Sequence, residues 1–333
     1  MTGINADDVK DTDIDGNNIS GALDAIAVNA SEDVRISNNE LQLAGRNGVR
    51  VIDTVNVSVA GNKISGSAGS GIFVDPSSGS ITGNTVTGAL THGIELVDGY
   101  DFTISDNTVL LAGQDGIHVT GGTNVDVLGN TIAGTGADGI AVTGTDGFTV
   151  DDNIVGGNAG DGISVTTAKN GAVDGNTVLA TAGNGVNVAG SEYISILNNN
   201  IGLTGNAGIL ASGGMGIGVW GNIILGTGAD GIRLSGMSGA TVNNNDVGAT
   251  GADGIALEDV SNSDATDNLV ALTTGHGIST TGGAGLSIDG NTVAGAGADG
   301  INTDGTTNSQ ITDNTVLGTA VSYTHLRAHE TLR

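Results

Sequence analysis

The sequence predicts an all-β chain, a single-stranded parallel β-helix wound as a solenoid of about 14 coils of 22–23 residues, on three observations. First, an asparagine followed two residues later by an aliphatic recurs at Asn17, Asn39, Asn62, Asn84, Asn107, Asn130, Asn153, Asn176, Asn199, Asn222, Asn245, Asn268, Asn291 and Asn314, and eleven of the thirteen intervals are 23 residues while two are 22. A period that strict belongs to stacked equivalent units and outranks any local propensity. Second, apolar residues recur two, ten, twelve and twenty positions after each asparagine, as with Val109, Ile117, Val119 and Val127. The pair at +10 and +12 has the period of two that marks a strand with one buried face. Third, 60 glycines stand against one proline, three phenylalanines and one tryptophan, the composition of many tight turns around a core of small aliphatics.

The coil from Asn130 shows each element in turn. Asn130-Thr-Ile132 is a first short extended piece, Gly134 to Gly139 a glycine-rich corner, Ile140-Ala-Val142 a second piece, Gly144 to Gly147 another corner, and Phe148-Thr-Val150 a third piece. Stacking aligns +2, +10, +12 and +20 into four aliphatic columns inside the tube, with all strands parallel. Each coil adds about 4.8 Å, so thirteen steps make a rod of roughly 60 Å. The asparagine is expected at a corner for two reasons: it tolerates left-handed backbone, and its amide bonds to the amides above and below. The glycine at +9, from Gly48 to Gly300, is expected to serve the next corner.

Rival solenoids fail on their own signatures. Val150-Asp-Asp-Asn153-Ile-Val155 has the look of a leucine-rich strand segment, but the return through Gly134-Thr-Gly136-Ala-Asp-Gly139 holds no leucines and would not survive as helix. The hexapeptide left-handed helix needs a period near 18.

Composition bounds the function. Thirty-six acidic against nine basic residues give a net charge of −27, which repels phosphate backbones and makes nucleic acid an unlikely partner. No cysteine is present, so disulfides, thiolate metal sites and cysteine catalysis are excluded. No apolar run reaches the length of a membrane span, and Met1 to Lys10 lacks the basic-then-apolar pattern of a signal peptide.

The segments Gly129-Asn-Thr-Ile to Asp138-Gly-Ile-Ala-Val142 and Gly290 to Thr303 resemble the right-handed parallel β-helix repeat of the pectate-lyase-like superfamily, from Asp13 to about Ala320. That resemblance implies the right-handed fold and a function among polysaccharide lyases, glycoside hydrolases, alginate epimerases, copper-site assembly proteins and non-catalytic surface modules. Gly275-His276-Gly277-Ile278-Ser279 and Asn302-Thr303-Asp304-Gly305 resemble polygalacturonase segments, but in reversed order and without the Arg-x-Lys that should follow. The alginate epimerase segment Tyr-Gly-Phe-Asp-Pro-His is missing; the sole proline is Pro76 in Asp75-Pro-Ser.

After Asn314 the period stops, and Val321 to Arg333 reads like a translated sequencing-library adaptor. Residues 1–320 are therefore expected to be the β-helix, truncated at both ends, and 321–333 a non-native tail whose His325, Arg327, His329 and Arg333 are kept out of any site.

Because coils share one phase, residues at equal distance from the asparagine form ladders. Position +8 reads Asn47, Ser70, His92, Asp115, Asp138, Asp161, Asn184, Ala207, Asp230, Asp253, His276 and Asp299. Carboxylates one coil apart can share a hard cation, so Asp115, Asp138 and Asp161 are a candidate calcium stripe, calcium being the one cofactor expected. The bland reading is that each Asp precedes a glycine in a turn and bonds its own backbone. Position +11 lies between two buried positions and should point outward, placing Glu95 and His118 on adjacent coils beside His92 and Asp115. These four are the candidate catalytic group, able to bind a metal or to serve as acid and base, against the plainer reading of polar residues on a solvated face. Arg233 with Asp230, Asp253 and Glu258 is a second such group.

The even interval lengths favour a non-catalytic β-helical module of a larger secreted or cell-surface protein, a stalk or a glycan-contacting surface, located outside the cell. It is expected to be a monomer or to associate end to end through its open coils, with polysaccharide as the partner. The alternative is a carbohydrate-active enzyme, a lyase, epimerase or hydrolase, against which stand the scarcity of aromatic sugar platforms and of basic residues.

Overall fold

The computed structural model describes residues 1–319. The expected tail, Val321 to Arg333, lies outside the described residues. Within them the chain is a parallel β-solenoid. Each coil contributes a three- to five-residue strand after the ladder asparagine, such as Thr131–Ala133, to a 14-stranded sheet. It then contributes a second strand such as Ile140–Thr143 and a third such as Asp146–Asp151. These last two kinds run together through the long strands Val49–Ala60 and Ile72–Thr82.

Every pairing is parallel and in step with the repeat: Ile94 faces Ile117, Ile117 faces Ile140, and Ile140 faces Ile163. One irregularity is recorded, between Thr54 and Val57. The four expected columns are inside, with Ile132, Ile140, Val142 and Val150 each at most 1% exposed. Two further inward columns accompany them. Position +18 carries Phe102, Val125, Phe148, Ile194 and Ile217, all buried. Position +5 carries buried threonines, whose hydroxyls donate to a carbonyl two residues on, as Thr204 does to Asn206 and Thr227 to Ala229. The buried hydroxyl is thereby satisfied within its own corner, sharing a carbonyl that also accepts an amide of the next coil, as Asn206 accepts that of Ala229.

Two expectations about the corners need correction. The left-handed residue is the one before the ladder asparagine, for example Asp106, Asp152, Asn198 and Gly129. The asparagine itself is turned into the tube, where Asn130, Asn153 and Asn176 are fully buried. Its main-chain amide and its Nδ2 both donate to Oδ1 of the asparagine one coil on, at 2.8 and 3.0 Å for Asn130 to Asn153. Nδ2 also reaches the Ile104 and Leu128 carbonyls, so every polar atom of the amide is used. The glycines at +9 do not supply left-handed backbone either. A Cβ on Gly139 would stand 2.2 Å from Val155 Cγ1 and 2.6 Å from the Gly162 carbonyl, so close packing of successive coils requires glycine there.

A third corner carries an unusual choice. Leu43, Leu111, Leu203 and Leu272 adopt φ of 52–56° and are 64–70% exposed, where most other coils place glycine. A bulky residue rarely takes that conformation. Among the described residues no helix is long and apolar enough to cross a membrane.

Candidate functional site

Position +8 sits at the corner leading into the second strand, and the strand register brings each such residue beside its equivalent one coil away. Asp115 Oδ1 accepts the Asp138 amide at 2.9 Å, Asp138 Oδ1 the Asp161 amide at 2.7 Å, and Asp161 Oδ1 the Asn184 amide at 2.6 Å. Asn184 does the same for Ala207, Asp230 for Asp253, and Asp253 for His276. The expected turn bond to the residue's own backbone is thus replaced by a bond to the next coil. The column is a second hydrogen-bonded ladder, in which Asp115, Asp138, Asp161, Asp230 and Asp253 each commit one oxygen to a main-chain amide.

The other oxygen meets position +11, which faces outward as expected. Asn187 Nδ2 donates to Asp161 Oδ2 at 2.8 Å and Ser279 Oγ to Asp253 Oδ2 at 2.6 Å. At Asp115 the partner is His118, whose Nδ1 lies 2.8 Å from Oδ2. His92 Nδ1 lies 3.3 Å from the same oxygen, and the two imidazoles stack with centroids 4.4 Å apart and planes at 26°. His118 is fixed from its far side by Thr120 Oγ1, 2.8 Å from Nε2.

The candidate group therefore assembles in part: His92, Asp115 and His118 converge. Glu95 pairs with His118 in register, yet its carboxylate accepts the Ser70 hydroxyl on the other side. In the second group Arg233 reaches Glu258 at 2.7 Å and Asp230 at 3.4 Å, whereas Asp253 is engaged with the following coil. Sequence reasoning missed Thr120 and Ser70 as partners. The alternation of polar side chains at +11 and +13 was the signal that could have found Thr120.

Electrostatics separate neighbouring carboxyls. Burial disfavours charge on Asp115, but hydrogen bonds from His118, His92 and the Asp138 amide outweigh it and hold the carboxyl well below the usual range. His118 is raised by its bond to Asp115, against burial, with the charges of Asp115, Glu95 and Asp138 adding to it. One coil on, burial pushes Asp138 up to about 6, helped by the charges of Asp161 and Asp115 and opposed by the Asp161 amide. An ionised carboxylate thus sits beside one that holds a proton in weak acid, an arrangement that suits proton transfer.

The right handed beta helix region family matches residues 2–155, 70–224 and 207–328, and the chain belongs to it. No curated protein matches the sequence. Among solved structures, the A-module of the Azotobacter vinelandii mannuronan C-5 epimerase AlgE4 is 14% identical, over 89% of this chain and 90% of that one, with a TM-score of 0.52. The A-module of AlgE6 from the same organism is 16% identical over 90% and 91%, with a TM-score of 0.47. The enzymatically active domain of bacteriophage CBA120 tailspike protein 2 is 14% identical over 72% and 43%, with a TM-score of 0.49. These are likenesses of fold.

Proposed function

We propose that the chain is a non-catalytic β-helical module of a larger secreted or cell-surface protein, contacting a polysaccharide along the face that bears +8, +11 and +13. The observation that carries this reading is the unbroken register of that face, from Ile94 against Ile117 through Ile278 against Ile301. A cleft is normally walled by inserted loops, and here each coil closes in 22–23 residues. The face is a strip of half-buried hydroxyls and amides, including Thr143, Ser164, Thr166 and Asn187, which suit sugar hydroxyls in a repeat-by-repeat contact. The AlgE4 A-module, a mannuronan epimerase by name and a likeness of fold, agrees with a glycan partner.

A carbohydrate-active enzyme is the second reading. It is favoured by the contrast between Asp115, held ionised, and Asp138, pushed up to about 6. One experiment separates the two: bind the chain to a panel of neutral and acidic polysaccharides, then assay each bound polysaccharide for new reducing ends, unsaturated residues and altered epimer ratio. Capture without any product is expected. A product made by the wild type and lost in Asp138→Asn would overturn the non-catalytic reading, and no capture at all would remove the glycan.

A further inference from the structure

We propose that His92, Asp115 and His118 form a binding site for a divalent transition-metal ion of borderline softness, Zn²⁺ foremost, with a coordination position left toward solvent. This goes beyond the module reading and does not depend on it. One donor atom from each residue lies within 4.8 Å of the others. Two of the separations are 2.8 and 3.3 Å, both to Asp115 Oδ2. A tetrahedral ion with bonds of about 2.1 Å wants ligand edges of roughly 3.4 Å, so the trio closes on it by small side-chain rotations and no backbone change.

The backbone beneath the trio is rigid for a reason found in the fold. His92 and Asp115 are equivalent residues on adjacent coils, and each leads directly into a paired strand, Ile94–Val97 and Ile117–Thr120. His118 is inside the second of these strands. The spacing is therefore set by the sheet and not by a mobile loop. Two of the three ligands are also aimed by outer partners. Thr120 Oγ1 meets His118 Nε2, which leaves Nδ1 for the ion, and the Asp138 amide holds Asp115 Oδ1, which leaves Oδ2. Such partners orient ligands and fix the imidazole tautomer.

The donor set decides the class of ion. Two imidazoles and one carboxylate suit zinc and its neighbours, whereas calcium wants six or more oxygens. Among the described residues this is the one place where two imidazoles share a carboxylate. His276 occupies the same column position beside Asp299, 3.6 Å away, without a second ring. It is the natural control. His92 must exchange one contact to take part: its Nδ1 now lies 3.3 Å from the Asp115 amide, a long bond that a metal–nitrogen bond outweighs. The side chains of His92, Asp115 and His118 are 14%, 11% and 25% exposed, enough for an ion to enter and a water to complete its shell.

The test uses the full chain stripped of metal by a chelator. Calorimetric titration with Zn²⁺ should give one site per chain, Ca²⁺ should give no heat at this trio, and Co²⁺ should give visible absorption bands of a low-coordinate nitrogen–oxygen site. His118→Gln, which keeps a polar side chain on the strand, should abolish the Co²⁺ bands. Thr120→Val should weaken Zn²⁺ about tenfold or more while leaving the trio in place. His276→Ala should bind as wild type. Circular dichroism of each variant checks that the solenoid is intact. Zn²⁺ binding that is absent in the wild type, that survives His118→Gln, or that falls equally in His276→Ala would overturn the site.

Discussion

Two ladders run along this molecule, one continuous and one interrupted at Ser70 and Ala207, and they do the same job with different side chains. At the asparagine corner, Oδ1 accepts from the main-chain amide and Nδ2 of the preceding coil's asparagine, and Nδ2 donates onward to the next coil's Oδ1 and to a strand carbonyl, so both ends of the carboxamide are filled and the residue is sealed inside. At +8, Asp, Asn and His each accept an amide from the next coil, while Ser70 and Ala207 occupy the position without doing so. An aspartate there gives one oxygen to that amide and turns the other toward the outward side chains at +11. The closed ladder tolerates one residue type and carries stability; the open one tolerates several and leaves valence for chemistry.

The largest effects should come from the inner wall. Val142 is 1% exposed within the aliphatic column, while Thr143 next to it is only partly buried. Val142→Asp should cost about 4 kcal/mol or more, since an unpaired carboxylate in the stack meets no partner. Thr143→Asp should cost under about 1 kcal/mol. Chemical denaturation of both variants checks the difference, and equal losses would mean that the inward columns are misassigned.

Next comes the closed ladder itself. Asn153→Asp removes the donor to Val127 and Asn176 and sets a buried carboxylate against an acceptor oxygen. A loss of about 3 kcal/mol is expected, the scale of an uncompensated buried charge or broken buried pair. The opposite exchange in the open ladder, Asp161→Asn, keeps the acceptor for the Asn184 amide and sets Nδ2 against the outward Asn187 amide, which can turn its own oxygen to meet it, so it should cost under about 1 kcal/mol; Asn184 already shows that the position takes an amide. If the two exchanges cost the same, the distinction between the ladders fails.

Much of this was legible from the sequence, and the reasons differ by region. The fold was legible because the period is imposed by stacking: a residue that must match its neighbour above and below repeats by necessity. The columns at +2, +10, +12 and +20 followed from that phase alone. The column at +18 escaped because Gly171 and Ser263 interrupt it, and the threonines at +5 because hydroxyls do not read as core. The asparagine was assigned the left-handed conformation that its predecessor takes, since Asn and Asp both favour it and stand side by side. Of the site, the ladder arithmetic found His92, Asp115 and His118. It could not tell that Glu95 turns toward Ser70, because side-chain rotamers on an outer face are not written into a period.

Within the open ladder, neighbouring aspartates should respond to pH with opposite sign. Asp115 is depressed, so its contribution is present above the ordinary carboxyl value of 3.8 and is lost as pH falls through its lower folded value. His118 is raised from 6.5, so its share is present below that value and lost as pH rises through the higher folded one. Asp138 is raised from 3.8 to about 6: the fold favours its protonated form, and stability falls as pH climbs between those values. Asp138→Asn should therefore raise the melting temperature above pH 6 and do nothing below the ordinary carboxyl value, whereas Asp115→Asn should lower it near neutrality. Melting curves at pH 3.5, 5 and 7.5 (about those settings) would check both, and the same sign for the two variants at neutral pH would break the assignment.

The smallest expected effect is calcium on the stripe from Asp115 to Asp161. Three carboxylates one coil apart look like a cation track, but their oxygens are largely spoken for. Each Oδ1 holds an amide of the next coil, Asp115 Oδ2 faces His118, and Asp161 Oδ2 holds Asn187. Of the three, only Asp138 offers an oxygen without a second strong partner, and burial already favours its protonated form. A cation that needs six or more oxygens would have to draw most of them from water. Weak heat is expected from calorimetry with calcium at neutral pH, and it should vanish in Asp138→Asn, which keeps the amide bond and loses the charge. Heat that survives that exchange would place any calcium elsewhere on the rod, and no heat in either protein would leave the column as a ladder alone.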